Sequence, residues 1–246
     1  MLECYKKAGF TPLQFINTIK KVYPEQKVCY TARLDPMARG IVPILIGDEC
    51  KRMDSYTSLS KTYEVKIIIG FSTDSDDALG MLQSNLLKNE ESKTELYLQL
   101  QSPMFLTDYK SYFDIEKEMH IEQKFHYYST KALMSRSKHN YEDHYHNVKL
   151  LQSTLIDKGE MDFNVWVNEC IQTIDTIDKT KNFRQKEIIE QWQNILYTEN
   201  IKTLPYITLR LHVGSGFFIR QHIRDISEKI GIPLMCYDIH RISIDY

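Results

Sequence analysis

The chain has 246 residues, of which 42% are hydrophobic and 26% charged, a composition typical of a globular protein with a sizeable core. Its five scattered cysteines, without a Cys-x-x-Cys pair, argue against a disulfide framework or zinc site and favour a reducing compartment. No apolar run reaches the roughly 18 to 20 residues that cross a bilayer. We therefore expect an intracellular protein, cytoplasmic or nuclear, without membrane contact or an organellar targeting segment.

Charge is unevenly distributed along the chain. Residues 1–72 and 202–246 together hold 17 Lys and Arg against 11 Asp and Glu, a net charge of +6, whereas residues 73–201 have a net charge of −8. A polyanion is therefore expected to contact the two ends, and the acidic middle is expected to form a solvated surface. From the counts alone, ordinary surface charge is the alternative interpretation.

The N-terminal third predicts a helix followed by two strands. Thr11 and Pro12 supply a cap and a first turn, and apolar residues at helical spacing then predict a helix over about Pro12–Val22. Short apolar runs at 41–46 and 62–69 predict strands. The segment between them carries a carboxylate, Asp35, in a polar loop.

The rest of the chain contains two polar stretches, followed by a region with the pattern of a strand and a helix. Residues 81–101 and 150–200 have the polarity of surface insertions within a single domain spanning 1–246. The alternation in 206–213 predicts a strand, and a helix is expected over about Ile219–Ile230, with Gly231 as its C-cap. Strands and helices mixed without a βαβ rhythm favour an α+β fold.

Asp35 has two interpretations. It lies in CYTARLDPMARG, directly before Pro36, and an Asp-Pro pair is typical of a turn. Arg33 and Arg39 lie two residues before it and four residues after it, so Asp35 could instead be a nucleophile held between two cations. The local sequence leaves both open.

Segments spread over most of the chain carry recognisable motifs. They are KKAGFTP, YTARLDPMARGIVPILIGDECKRM, SKTYEV, STDSDDALG, LRLHVGSGFFIRQHIRDISEKIG and IHRISI, with a weaker match in EQKFHYYST that keeps Gln123, Tyr128 and Ser129. In this order and spacing they resemble the motifs of the TruB family of tRNA pseudouridine synthases. Each motif alone is a weak signal, whereas the combination is specific.

The resemblance implies a fold, an activity and a partner. The implied fold is a mixed, mainly antiparallel sheet with flanking helices and a central RNA-binding cleft, in one catalytic domain without the PUA domain of bacterial members. The implied activity is isomerisation of the T-loop uridine of tRNA to pseudouridine, by base flipping and without cofactor or metal. We expect a monomer whose partner is tRNA, bound through its T-arm.

The resemblance also assigns roles to residues. Asp35 takes the position of the nucleophile and Arg220 that of its cationic partner, while Tyr63 would stack on the extruded base and take part in proton transfer at its C5 atom. The alternative, non-catalytic interpretations are that Tyr63 is a half-buried strand residue and that Arg220 faces solvent at the start of a helix. The residues predicted to contact RNA are Lys6, Tyr30, Arg33, Arg39, Asp77 and Arg241. Tyr30 stands where the family usually has a histidine.

Two other classes of protein stay open. A non-catalytic RNA-binding or tRNA-folding protein would keep the cations and aromatic residues without needing Asp35. A hydrolase with Asp35 as nucleophile would need a second acid or metal-binding carboxylates near it. His139, His144 and His146 with Asp143 suggest a metal site, but their polar stretch is more typical of a solvated loop.

Overall fold

A mixed sheet of eight strands forms the centre of the protein, in a computed structural model that describes residues 1–101, 111–124 and 145–246. The strands are β1 (Leu2–Lys6), β2 (Val28–Tyr30), β3 (Arg39–Ile46), β4 (Lys61–Ile69), β7 (Met119–Lys124), β8 (Tyr145–Asp162), β9 (Thr203–Val213) and β10 (Leu234–Ile244). A separate hairpin consists of β5 (Phe71–Thr73) and β6 (Leu82–Asn85). The order across the sheet is β1-β3-β10-β4-β9-β8-β7, with β2 also paired to β3.

Helices flank this sheet. They are α1 (Pro12–Val22), α2 (Met53–Thr57), α3 (Glu90–Gln101), α4 (Phe163–Asp175), α5 (Gln185–Thr198) and α6 (Ile219–Ile230), and a 3₁₀ turn at Gly47–Arg52 precedes α2. Strands β3 and β10 pair in parallel, while the other pairs are antiparallel. The prediction of an α+β fold with a mainly antiparallel mixed sheet is therefore confirmed. None of the described helices is both long and apolar enough to cross a membrane.

Two helices have the predicted boundaries because their capping signals are local. Thr11 Oγ1 accepts a hydrogen bond from the backbone N–H of Gln14 (3.1 Å), and Gln14 Oε1 accepts one from that of Thr11 (2.8 Å), which is a capping box. Helix α6 ends at Gly231 in the left-handed conformation, with φ +68°. Val22, the last residue of α1, is 69% exposed and therefore lies outside the buried face of the helix.

The segment 163–198, predicted to lie at the surface, contributes to the core. Trp166 and Trp192, from α4 and α5, are fully buried with ring centroids 5.1 Å apart, and Phe71 packs against both. The prediction of a surface position is wrong for this face, because apolar residues at helical spacing turn it towards the hydrophobic core. Strand β8 likewise lies inside the sheet, between β7 and β9. The assignment of these residues as an insertion stays a prediction.

Candidate active site

Asp35 lies on the turn between β2 and β3. Its carbonyl accepts a hydrogen bond from the Ala38 N–H (3.0 Å), so the turn interpretation of the Asp-Pro pair is correct for the backbone. The neighbouring Leu34 and Met37 are buried and anchor the turn, whereas the Asp35 side chain is 47% exposed. The buried neighbours therefore hold the backbone of the turn in place while the Asp35 carboxylate faces solvent.

Arg220, the second residue of α6, joins that carboxylate to a buried one. Its Nη2 donates to Asp35 Oδ2 (2.6 Å), and its Nη1 donates to Asp77 Oδ2 and to the Ser75 carbonyl, both at 3.0 Å. The arginine side chain is only 5% exposed, and its position near a helix N-terminus is unfavourable for a cation. The ion pairs with two carboxylates compensate for the burial of the guanidinium and for its unfavourable position in the helix dipole.

Asp77 orients this arginine. Its side chain is 4% exposed, and its Oδ1 accepts hydrogen bonds from Ser75 Oγ (2.7 Å) and the Leu79 N–H (3.0 Å), while Oδ2 faces Arg220. Asp77 lines the same cavity as Asp35, but its carboxylate is buried against these partners and would repel a phosphate. Contact of Asp77 with RNA stays a prediction.

Lys6 holds the Asp35 turn through hydrogen bonds to its backbone carbonyls. Its Nζ donates to the carbonyls of Ala38 (2.6 Å), Asp35 (3.0 Å) and Lys7 (3.2 Å), and the residue is 1% exposed. Burial lowers the pKa of Lys6 to about 7. The ammonium group faces backbone carbonyls inside the protein, and contact of Lys6 with RNA phosphate stays a prediction.

Arg241 and Tyr63 are cross-strand partners on β10 and β4. Arg241 is completely buried and donates to the carbonyls of Ile41 (2.6 Å) and Ala32 (3.1 Å) and, at 3.4 Å, to the Tyr63 hydroxyl. Its donors thus connect the segments before and after the Asp35 turn. Arg241 also lines the cavity that contains Asp35, and its contact with RNA stays a prediction. Tyr63 is 8% exposed.

The other predicted RNA contacts differ in position. Arg39 forms a bidentate pair with Asp238 (2.6 and 2.9 Å) and donates to Tyr5 Oη (2.9 Å), so these partners engage its guanidinium. Arg33 is exposed, and its guanidinium carbon lies 5.9 Å from the ring centroid of Tyr30. Arg33 and Tyr30 therefore keep positions suited to contact with RNA.

A cavity of about 490 Å³ joins these groups. Asp35, Arg220 and Tyr63 line it together with Arg33, and its volume is in the range of small-molecule sites. Lys61 and Phe183 also line it and were not predicted. Lys61 was within the recognised SKTYEV segment, whereas Phe183 lies in the acidic middle and had no sequence signal.

Of the four residues in the suggested metal site, the structure describes His146. Tyr128, Ser129, His139, Asp143 and His144 lie outside the described residues. His146 Nε2 is 3.0 Å from the Gly216 carbonyl oxygen, next to the cavity-lining Phe218. In the part of the chain that the structure describes, no group of three or more His, Cys, Asp or Glu side chains is arranged to hold a metal ion.

Two solved structures share the class of fold. The chain aligns with the structure titled Cbf5-Nop10-Gar1 complex at a TM-score of 0.53 and 12% identity, covering 98% of this chain and 47% of that one. A structure titled H/ACA RNP bound to a substrate RNA containing 2'-deoxyuridine gives 0.51 and 12%, with coverage of 98% and 45%. At this identity the likeness shows the fold alone.

Comparisons of sequence identify the family to which the chain belongs. The tRNA pseudouridine synthase B of Clostridium acetobutylicum is 29% identical over 248 residues, 99% of this chain and 66% of the relative. That of Bacillus pumilus is 34% identical over 97 residues, 39% of this chain, and the match spans about a third of the relative's length (31%). The family model described as TruB family pseudouridylate synthase (N terminal domain) matches residues 20–169, and the chain belongs to this family.

Proposed function

We propose that this protein isomerises a uridine of tRNA to pseudouridine. The observation that carries the proposal is the exposed carboxylate of Asp35, held at 2.6 Å by the buried Arg220 in the wall of a cavity of about 490 Å³. Relatives that bear the name tRNA pseudouridine synthase B support tRNA as the substrate.

The chemistry requires a nucleophile that can also leave. The N1–C1′ bond of uridine must break, the base must turn, and a C5–C1′ bond must form. A carboxylate can add to the base or to the sugar carbon and depart again when the new bond closes, so we assign this step to Asp35. Arg220 stabilises the ionised form and holds its orientation through a charge-assisted hydrogen bond.

Tyr63 supplies a wall for the base. Its ring lines the cavity that contains Asp35, and an extruded pyrimidine can stack on an aromatic face. Its hydroxyl is the group that we assign to proton transfer at C5 after the base has turned. The buried Arg241, which donates to this hydroxyl at 3.4 Å, positions it.

The substrate uridine is proposed to lie in the T-loop, where base flipping would bring it into the cavity. Arg33, exposed at the cavity, would contact a flanking phosphate. Because Lys6, Arg39 and Arg241 are engaged within the protein, few of the predicted cations face solvent. We therefore expect a footprint limited to the T-arm and a shallow dependence of affinity on salt, at about one unit or less per phosphate contact.

The test is to map pseudouridine in unmodified bulk tRNA after incubation with the purified protein. We expect modification at the T-loop, and an isolated T stem-loop should react nearly as well as whole tRNA at several salt concentrations. Absence of pseudouridine from tRNA that the protein binds would contradict the proposed activity and favour a non-catalytic RNA-binding role. A stem-loop that is inert while whole tRNA reacts would contradict the limited footprint alone.

A further inference from the structure

The turn between α4 and α5, residues 176–184, contributes to the cavity that contains Asp35. Phe183 from this turn is half-buried and lines the cavity wall. This is unexpected, because the turn belongs to the acidic middle, which the charge distribution assigned to a solvated surface away from RNA. Phe183 packs in part against the hydrophobic core, and because its side chain has no polar group it can offer the cavity only shape or a stacking face.

An ion pair holds the turn in one geometry. Arg184 donates through Nη1 to Asp74 Oδ2 (2.6 Å) and through Nη2 to Asp74 Oδ1 (2.9 Å), a bidentate arrangement that fixes direction as well as distance. The backbone of Arg184 has φ +61°, an unfavourable conformation for a residue with a side chain. Phe183 directly precedes it, so its position depends on this fixed residue.

Helix α5 is attached to the segment that carries Asp77. Trp192 Nε1 donates to the Ala78 carbonyl (3.2 Å), and Gln191 Oε1 accepts from the Leu82 N–H (2.9 Å). The same segment places Asp77 against Arg220. The segment that carries Asp77 therefore contacts both helix α5 and Arg220, the ion-pair partner of Asp35.

On its other side, the helix pair contacts the N-terminal segment. Gly9 packs so closely on Thr176 that a Cβ atom at Gly9 would lie 1.9 Å from Thr176 Oγ1. The Gly9 N–H donates to the Pro36 carbonyl (2.8 Å), next to Asp35. The turn thus lies between two segments that each contact the Asp35 and Arg220 site, and these contacts fix the position of Phe183 at the cavity.

We infer that Phe183 contacts RNA, stacking on the base of the nucleotide that enters the cavity, and thereby contributes to substrate affinity. Aromatic side chains are common stacking partners for unpaired bases, and such a contact tolerates different neighbouring sequences. The inference rests on the proposed function for the identity of the ligand, since it takes an RNA nucleotide as the occupant of the cavity. A purely structural role, as packing for the turn, is the competing explanation.

The experiment compares Phe183→Leu with Phe183→Tyr. Leucine keeps an apolar side chain but removes the aromatic face, whereas tyrosine keeps the ring. We expect Phe183→Leu to raise the Kd and KM for tRNA roughly 5- to 100-fold, with kcat and Tm close to the parent values, because stacking contributes equally to the bound ground state and the transition state. Phe183→Tyr should behave as the parent. Tyr197→Leu, at an 83% exposed position on α5, is the matched control and should change neither constant.

The outcomes separate the two proposals because binding and isomerisation are measured independently. If the parent modifies tRNA and Phe183→Leu binds it equally well, the stacking role is overturned while the proposed activity stands. If both variants lose Tm and affinity together, the role of Phe183 is structural and the inference is also overturned. If the parent binds tRNA without making pseudouridine and Phe183→Leu still weakens binding, the proposed activity fails and the contact stands.

Discussion

The Nη2 atom of Arg220 lies 2.6 Å from Oδ2 of Asp35, although 185 positions separate the two residues in the sequence. The same guanidinium binds Asp77, so one buried cation serves two carboxylates. These differ in access, since the Asp35 side chain is 47% exposed and that of Asp77 is 4% exposed. Of this pair, Asp35 is therefore the carboxylate that is more accessible to solvent.

Replacing Asp35 with Asn should abolish isomerisation and spare binding. The amide keeps the shape of the carboxylate, and its oxygen can still accept from Arg220, but it is a far weaker nucleophile. We expect pseudouridine formation in single-turnover assays to fall by at least about 1000-fold. The Kd for tRNA, measured by filter binding, should stay close to that of the parent. Turnover comparable to the parent would show that Asp35 is not the nucleophile.

Replacing Arg220 with Lys should reduce both activity and stability. A lysine cannot reach Asp35 and Asp77 with the planar fork of a guanidinium, so one of the two carboxylates loses its ion pair with residue 220. We expect kcat/KM to fall about 100-fold or more and the free energy of unfolding to fall by about 2 kcal/mol. Arg210→Lys is the control, because Arg210 forms a half-exposed pair with Glu64 (2.7 Å) and should tolerate the change. Equal effects of the two substitutions would contradict the special role of Arg220.

Replacing Gly9 with Ala should destabilise the protein more than the same change at Gly231. Both glycines have positive φ, +84° and +68°, so each substitution adds backbone strain of about 1 kcal/mol. At Gly9 the new Cβ would also meet Thr176 Oγ1, whereas nothing lies within 4 Å at Gly231. Urea unfolding should show a larger loss for Gly9→Ala, and equal losses would argue against close packing of α4 on this segment.

The stability of the protein should rise with pH above about 7 because of Lys6. Burial lowers the pKa of Lys6 from 10.5 to about 7, a change that Asp35 partly offsets and Arg241 enhances. Between these two values the unfolded chain binds a proton that the folded protein has released, so raising the pH favours folding. The contribution has a maximum slope of about 1.4 kcal/mol per pH unit.

The measurement is the free energy of unfolding at pH 7, 8 and 9 for the parent and for Lys6→Met. The variant should be less stable, because three carbonyls lose their donor, and its stability should rise less steeply with pH. Lys61, whose pKa burial lowers to about 8, gives a contribution of the same sign in both proteins. Parallel curves for the parent and the variant would show that Lys6 does not titrate in this range.

Elements with strong local signals could be predicted from the sequence. The capping box of Thr11 and Gln14 and the left-handed Gly231 are interactions within one turn, so the boundaries of α1 and α6 follow from adjacent residues. The alternation that predicts β9 also reflects local geometry, although the strand begins earlier, at Thr203. Asp35, Tyr63 and Arg220 could be selected because their motifs occur in a recognisable order, and the structure places all three along one cavity.

The environment of each charged residue was decided by the tertiary structure. Lys6, Asp77 and Arg241 share the residue types of surface RNA contacts, yet all three are buried because distant segments close over them. Phe183 lines the cavity next to Arg184, which pairs with Asp74 across 110 positions of the sequence. Sequence by itself determined the local elements and the candidate catalytic residues. Burial and pairing depend on which distant segments pack together, so only the folded chain decided which of those residues line the cavity.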